Sequence, residues 1–297
     1  MIDNRIDILM ATYNGEKYLS EQIDSIINQT YQGWNLLIRD DGSTDSTMEI
    51  IESYQKKDTR IKILKDNKGN LGIVKNFEEL LKISKAKLIM FSDQDDIWKK
   101  EKILRYLERL EKIKEFKNEK IMIHSNSNLY REKKQKLNLF ISDKFLEQKL
   151  ENVFFNFFVQ GATIMITKSL KEFILPFPEE VYIHDRYIHL LTDILFKRVF
   201  INESFMDYRQ HENNQIGGNT DWKKLISKRY FYEKDYKLIK KIYELHKNRL
   251  NLEQKNMIES YFKITNVKQN RLRRYTELKK SNINMPLKKQ LSLLLKG

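Results

Sequence analysis

The sequence predicts an α/β protein, a mainly parallel sheet with helices on both faces, followed by a basic helical C-terminal extension. Three observations carry this. Apolar β-type runs alternate with stretches of helical period from Ile6 to Trp98. Polar clusters follow three of those runs, at Thr12-Tyr13-Asn14, Asp40-Asp41-Gly42-Ser43 and Ser92-Asp93-Gln94-Asp95-Asp96. The 297 residues carry a formal net charge of +14, yet residues 1–220 hold 34 basic and 34 acidic side chains while residues 221–297 hold 21 and 7. The excess charge therefore lies in the C-terminal stretch alone.

Ile6-Asp7-Ile8-Leu9-Met10 reads as a strand ended by Thr12-Tyr13-Asn14-Gly15, and Leu19, Ile23, Ile26 and Ile27 then recur at helical spacing. The unit repeats. Trp34 to Ile38 is a strand, Asp40 to Ser43 a turn, and Thr44 to Tyr54 a helix with Met48, Ile51 and Tyr54 on one side. Ile61 to Leu64 leads through Asn67-Lys68-Gly69-Asn70-Leu71-Gly72 into a helix from Ile73 to Ser84, and Leu88 to Phe91 makes a fourth strand. After Lys99 the pattern predicts a helix to about Lys117, a strand from Lys120 to Ser125, and a charged surface excursion over residues 131–150. Ala162 to Thr167 is β-type, Pro176 and Pro178 bracket a loop, His184 to Lys197 is helical, and Val199 to Arg209 makes one or two strands. Lys/Arg-rich helical stretches follow over roughly 222–246 and 252–280, then Pro286 and a leucine-rich basic end.

Composition excludes several classes. With no Cys there is no thiolate nucleophile, Cys-ligated metal or disulfide framework. Nine Gly and 40% apolar residues exclude collagen-like and low-complexity chains. Asp7 interrupts the first apolar run, and nothing later reaches the roughly 18 uninterrupted apolar residues of a membrane span. The expectation is a soluble, cytoplasmic protein that touches a membrane only from outside.

Parallel sheets bind ligands beyond the carboxyl ends of their strands, so the three polar clusters should line one crevice. Asp93, Asp95 and Asp96 put three carboxylates within four residues. Like charges this close call for a cation, and Mg²⁺ or Mn²⁺ prefers carboxylate oxygens while leaving positions for water and phosphate. The plainer alternative is an acidic turn in which Asp96 caps the next helix.

Met10-Ala11-Thr12-Tyr13-Asn14-Gly15, Asp40-Asp41-Gly42-Ser43-Thr44-Asp45, Asn70-Leu71-Gly72 with Lys75-Asn76, and Ser92-Asp93-Gln94-Asp95-Asp96-Ile97-Trp98 stand in the order found in family 2 glycosyltransferases of the Rossmann-like GT-A fold. The last motif is similar to bacterial rhamnosyltransferase-like members that build surface polysaccharides. The resemblance covers about residues 5–215. It implies a GT-A domain over 1–220, with a nucleotide-binding half of about 1–100 and an acceptor half of about 101–220, and a basic helical region over 221–297.

By resemblance, Ala11, Thr12, Tyr13 and Asp41 hold the nucleotide base, Lys75 contacts the diphosphate where the family commonly has Arg, and Asp93 faces the ribose. Asp95 meets a divalent metal (Mn or Mg), with Asp96 as second ligand or cap. For Asp40 and Asp41 a turn stabilised by side-chain to backbone bonds is the competing reading, and for Lys75 a solvated helix lysine. Inverting transfer needs one carboxylate to take the acceptor's proton, and Tyr182-Ile183-His184-Asp185-Arg186-Tyr187 matches the family's motif for it, making Asp185 the candidate base. Arg186 stands where Trp is common. Gln160-Gly161 is a candidate for close backbone approach to the sugar-diphosphate. Tyr208-Arg209-Gln210-His211-Glu212-Asn213-Asn214 looks like the family's closing segment, in which Arg209 reaches the diphosphate and His211 the metal. His124, His189 and His246 read as structural, and the Phe154, Phe155, Phe157 and Phe158 run as core.

The basic end admits a solvated helical face, a nucleic-acid surface, an anionic-membrane surface, or a dimerisation or capping module. No nucleic-acid-binding signature accompanies it. The leading expectation is a metal-dependent inverting glycosyltransferase taking a UDP- or dTDP-linked sugar to a glycan or lipid-linked glycan, peripheral at the inner face of the membrane. The alternatives are a nucleic-acid-binding protein on a β-α scaffold and a sugar nucleotidyltransferase, the latter lacking its glycine-rich triphosphate loop at Thr12-Tyr13-Asn14-Gly15.

Overall fold

A computed structural model describes residues 5–113, 116, 119–131, 134–139, 147–210, 228–266, 268–287 and 289–291. In chain order the first half contains β1 (Ile6–Thr12), α1 (Leu19–Ile27), β2 (Trp34–Asp40), α2 (Thr47–Lys57), β3 (Ile61–Ile63), α3 (Gly72–Ile83), β4 (Leu88–Ser92), β5 (Ile97–Trp98) and α4 (Lys102–Glu111). The second half contains β6 (Ile121–Arg131), β7 (Lys134–Leu139), α5 (Leu150–Val153), β8 (Ile164–Thr167), α6 (Lys168–Ile174), α7 (His184–Leu195), β9 (Lys197–Arg209), α8 (Lys228–His246), α9 (Leu252–Thr265) and α10 (Arg271–Lys280).

The strands form one sheet in the order β3-β2-β1-β4-β8-β6-β9-β5, with β7 hairpinned onto β6. The parallel expectation holds for β3, β2, β1 and β4. Beyond them the sheet is mixed, because β8 runs antiparallel to both β4 and β6, β9 is parallel to β6, and β5 returns antiparallel on β9. This reversal matters for the site. With Met165 opposite Met90 and Thr167 opposite Leu88, β8 starts at the crevice end of β4, so the Gln160-Gly161 turn before it opens there.

β1 shows how a buried strand is specified. Ile6, Ile8 and Met10 enter one apolar cluster with α1 and α4, while Leu9 and Ala11 enter the other with α3 and α7, as the two-residue pleat requires. Asp7 breaks the apolar run because its carboxylate accepts from Asn35, Ser84 Oγ and the Lys85 and Ala86 amides, closing the end of α3.

The excursion at 131–150 instead contains β7, and 140–146 lie outside the described residues. The single stretch expected over 252–280 is two helices. Asn266 accepts from the Lys268 amide and Asn270 caps α10 by accepting from Leu272 N, so two asparagines break the helix. The 220/221 boundary and His211 also lie outside the described residues.

The C-terminal helices are built into the body. Leu238, Ile239, Ile242, Ile258, Tyr261 and Ile264 are buried in the same cluster as Phe154, Ile188 and Leu191. Each such aliphatic or aromatic side chain contributes about 1.5–3 kcal/mol relative to exposure, while Lys237, Lys240, Lys263, Arg271, Arg273 and Lys279 stay in solvent. The burial continues through Ile283 and Met285. Phe154, Phe155 and Phe158 are core as expected, whereas Phe157 is 39% exposed.

Candidate active site

The loops after β1 and β2 are stitched into one wall. Asp40 accepts from Thr12 Oγ1 at 2.8 Å, from the Gly42 and Ser43 amides, and from Ser43 Oγ at 2.6 Å. It is a turn former, as the plainer reading had it. Asn14, at φ +48°, accepts from Thr44 N and gives its own amide to Ser43 Oγ, while Gly15 N donates to Thr47 Oγ1. Asp41 is buried at 4% exposure. Its Oδ1 accepts from Arg39 Nη1 and Leu71 N, and its Oδ2 from Gly72 N at 2.8 Å, tying β2 to the start of α3. A carboxylate oxygen has two lone pairs, so one position on Oδ2 is left for a further donor.

The acid loop after β4 locks onto this wall through Gln94. Its amide accepts from Tyr13 N at 2.9 Å and donates to Tyr13 O at 3.0 Å, copying a strand pair. A Cβ on Gly15 would stand 2.5 Å from Gln94 Oε1, so a larger residue there would push this amide off Tyr13. Tyr13 itself presents a side chain to solvent, at 48% exposure, while Ala11 and Thr12 are buried beneath it.

Below the loop lies Lys102, fully buried. Its Nζ donates to Ala162 O at 2.6 Å and sits 3.6 Å from the Trp98 ring centroid. Burial pulls its pKa down, opposed by the charges of Asp96 and Asp93. Asp96 is buried too, accepts from Arg209 N at 3.3 Å, and is driven well above the usual carboxylate range by burial and then by Asp95 and Asp93. Its Oδ2 is buried without a partner. Asp93 is half-buried and pushed up to about 7 by burial, then by Asp95 and Asp185, against the pull of Lys102. Arg209 closes the rear: Nε donates to Asp95 O at 3.0 Å, an Nη2 donor meets Glu21, and the guanidinium stacks 4.5 Å from the Tyr18 ring centroid.

Asp185 faces this loop from α7. Its Oδ2 accepts from Gly161 N at 3.1 Å and its Oδ1 from Arg186 N at 2.7 Å. Burial pushes its carboxyl up to about 7 despite these bonds. The neighbouring His184 is packed on Phe77 and Phe91 with ring centroids at 4.2 and 5.5 Å. Burial lowers its pKa to about 3 and keeps it neutral. A Cβ on Gly161 would stand 2.9 Å from His184 Nε2 and 3.5 Å from Asp185 Oδ2, so the glycine permits this approach.

The crevice therefore gathers Ala11, Thr12, Tyr13, Asp41, Asp93, Asp95, Asp96, Gln160, Gly161, Asp185 and Arg209 around strand ends of one sheet. Residues 7–173 match the family model for glycosyl transferase family 2, more than half of the chain. The chain belongs to glycosyltransferase family 2. It is 35% identical over 232 residues to a dTDP-rhamnosyl transferase, RfbG, of Shigella flexneri, covering 72% of this chain and 75% of that protein. It is 38% identical over 98 residues to a UDP-Glc:α-D-GlcNAc-diphosphoundecaprenol β-1,3-glucosyltransferase of Escherichia coli, covering 33% and 38%. Among solved structures it resembles S. aureus TarS 1–349 in complex with UDP-GlcNAc, at TM-score 0.64 and 16% identity over 94% of this chain and 82% of that one. The β-α body is thus a glycosyltransferase domain with the GT-A-like fold, rather than a nucleotidyltransferase or a bare scaffold for nucleic-acid binding.

Within this glycosyltransferase, Lys75 lies on the first turn of α3 with Nζ 2.6 Å from Glu78 and half of its side chain in solvent. Gln160 gives its carbonyl to the Thr163 amide and hydroxyl and accepts from Ser127 Oγ. Sequence reasoning missed Lys102, although it lies on the apolar stripe of Ile103, Tyr106 and Leu110, where a lysine is out of place. It also missed Gln94 as a clamp and the partner of Arg186 described below, for which no local signal exists.

The acid loop suits a hard divalent cation. Asp93 and Asp96 share one buried ammonium, Asp95 adds like charge to both, and Asp96 keeps an unpartnered oxygen. Among the described residues no three Asp, Glu or His side chains converge into a ready cage. Mg²⁺ and Mn²⁺ sites commonly use one or two carboxylates and complete themselves with water and phosphate.

Proposed function

We propose that this glycosyltransferase moves a sugar with inversion from a UDP- or dTDP-linked donor to a glycan or lipid-linked glycan in bacterial surface polysaccharide synthesis. The observation that carries this is Asp185, a half-buried carboxylate with pKa about 7, held against Gly161 across from the acid loop.

In this reading Tyr13 covers the base, Asp41 offers its remaining lone pair to a base N–H, and Asp93 takes the ribose. Asp95, with Asp96 behind it, would hold Mn²⁺ or Mg²⁺, which when bound neutralises the leaving diphosphate. Lys75 adds a point charge near the diphosphate once released from Glu78. Arg209 holds the acid loop through the Asp95 carbonyl, and His211 is a further candidate ligand. Asp185 takes the proton from the acceptor hydroxyl as that oxygen attacks the anomeric carbon from the face opposite the departing diphosphate. One base suffices for inversion. Retention by double displacement would need a second carboxylate as nucleophile, and this reading commits Asp93, the acid that faces Asp185, to the ribose instead.

A thermal-shift panel of UDP, dTDP, GDP and their sugars, with and without Mn²⁺, tests the donor class. A rise of several degrees with a UDP or dTDP compound that requires Mn²⁺ is expected, since binding to the native state alone stabilises by about 2.7 kcal/mol at a hundredfold excess over Kd. No shift with any member would reject the reading. The product anomer, read by NMR, then tests inversion.

Among the described residues no helix is long and apolar enough to cross a membrane. The outer face of the C-terminal region carries exposed Leu287 and Leu291, at 70% and 49%, beside its basic helices, which supports peripheral contact with an anionic membrane. Removing the end from residue 282 would strip the buried Ile283 and Met285, so a surface variant is the cleaner test. Leu287→Ser with Leu291→Ser is expected to weaken binding to vesicles containing phosphatidylglycerol while sparing transfer to a soluble acceptor; unchanged vesicle binding would leave the homodimer reading of these helices in its place.

A further inference from the structure

Arg186, next to the proposed base, is 1% exposed, and all five of its guanidinium N–H donors are used. Nη1 donates to Val153 O at 2.9 Å and Asn156 O at 3.0 Å, and Nη2 to Phe154 O at 3.1 Å. The remaining two, Nε and the second Nη2 donor, fork onto Asp235 of α8, each at 3.0 Å. Asp235 Oδ1 also accepts from Tyr182 Oη at 2.7 Å. Two more residues of α8 touch the same approach to α7: Lys234 lies 5.3 Å from the Tyr182 ring centroid, and Lys241 is 3.6 Å from Glu180.

Two chain segments meet at Asp185. One is the start of α7, which carries it. The other runs from Val153 to Gly161, whose amide donates to it. Arg186 holds both, being covalently next to Asp185 and bonded to the carbonyls of 153, 154 and 156. Asp235 supplies the only carboxylate on that guanidinium among the described contacts.

We infer that Asp235 is a positioning residue for the base: through Arg186 the basic C-terminal region fixes the distance between Asp185 and Gly161 and so sets the geometry of proton removal. This rests on Asp185 being the base. It gives α8 a part in turnover that is separate from any contact with membrane or partner.

Asp235→Asn keeps the shape and one acceptor oxygen but removes the charge that pairs the fork. In the full chain, with the donor giving the largest shift in the panel above, kcat is expected to fall about tenfold or more while the donor KM stays within about twofold, because a small misplacement near reacting atoms costs rate rather than ground-state binding. Amides of 153–161 and 180–186 should exchange hydrogen faster. Adding Asp235→Asn to Asp185→Asn should cost no further activity, since the first acts through the second. Parental kcat in Asp235→Asn, or a further tenfold loss in the double variant, would overturn the inference. Should Asp235→Asn fail to fold, Tyr182→Phe removes the hydroxyl that donates to Asp235 while keeping the ring, and it is expected to lower kcat about twofold to fivefold at constant KM; an unchanged kcat there overturns it equally. Failure of the underlying reading is separate, and shows as an active Asp185→Asn.

Discussion

Asp185→Asn is expected to lose about 10²–10⁴-fold in kcat, to bind nucleoside diphosphate as before, and to melt above the parent protein at pH 8. The first effect follows from removing the proton acceptor while keeping its shape. The second follows because no nucleotide contact is assigned to this side chain. The third is a linkage argument. Burial raises this carboxyl to about 7 in the folded protein, against about 3.9 in an unfolded chain. The native state therefore holds the proton more tightly, and that stability is present at pH 4 and lost as pH rises through about 7. Asparagine carries no charge, so the variant avoids the loss. In the parent, kcat/KM should climb with pH up to about 7 and level off. Asp93 faces Asp185 and is raised to the same region, so that limb belongs to the pair. Calorimetry at pH 5 and pH 8 beside a pH–rate profile checks all of this, and a variant no more stable at pH 8 than the parent would contradict the linkage.

Asp95→Ala is expected to abolish transfer and donor hydrolysis, by about 10³-fold or more, as charge stabilisation at the leaving diphosphate worth several kcal/mol disappears. The half-buried Asp95 gives its carbonyl to Arg209 through the backbone, which alanine preserves, so the loop should keep its course. The Mn²⁺-dependent part of the thermal shift with UDP or dTDP should vanish. Removal of like charge should also bring Asp93 and Asp96 back toward the ordinary carboxylate range, because Asp95 is among the causes that raise both. EDTA should silence the parent and leave the variant unaffected. Full activity in Asp95→Ala would remove the metal assignment.

The first hundred residues were legible because their signals are local. Alternating apolar runs and turn residues place β1, β2, β4 and their helices, and the topology alone brings Asp41, Asp93 and Tyr13 to one crevice. The segment from β6 to β9 was less legible because its logic is non-local. Nothing near Ile164 says that β8 runs backwards along β4, and the antiparallel return is what carries Gly161 to Asp185. Arg186 reads in sequence only as an arginine where tryptophan is common, yet its partners lie 30 to 49 residues away in the chain. Asp41 shows the intermediate case: a motif identifies it, but only the fold reveals that Arg39 and the start of α3 occupy most of its carboxylate.

The cluster that joins Leu9 and Phe91 to Ile188, Tyr261, Ile283 and Met285 spans nearly the whole polypeptide. A chain emerging from the ribosome can pair β1, β2, β3 and β4 early, since those contacts are near in sequence, but the face beneath α7 stays uncovered until the last helices are made. The loops after β1 and β2 can then be drawn together before α7, which carries Asp185, is packed. On the function proposed above, a chain cut before α8 is expected to lose the seating of Asp185 first, and with it the proton acceptor that transfer requires.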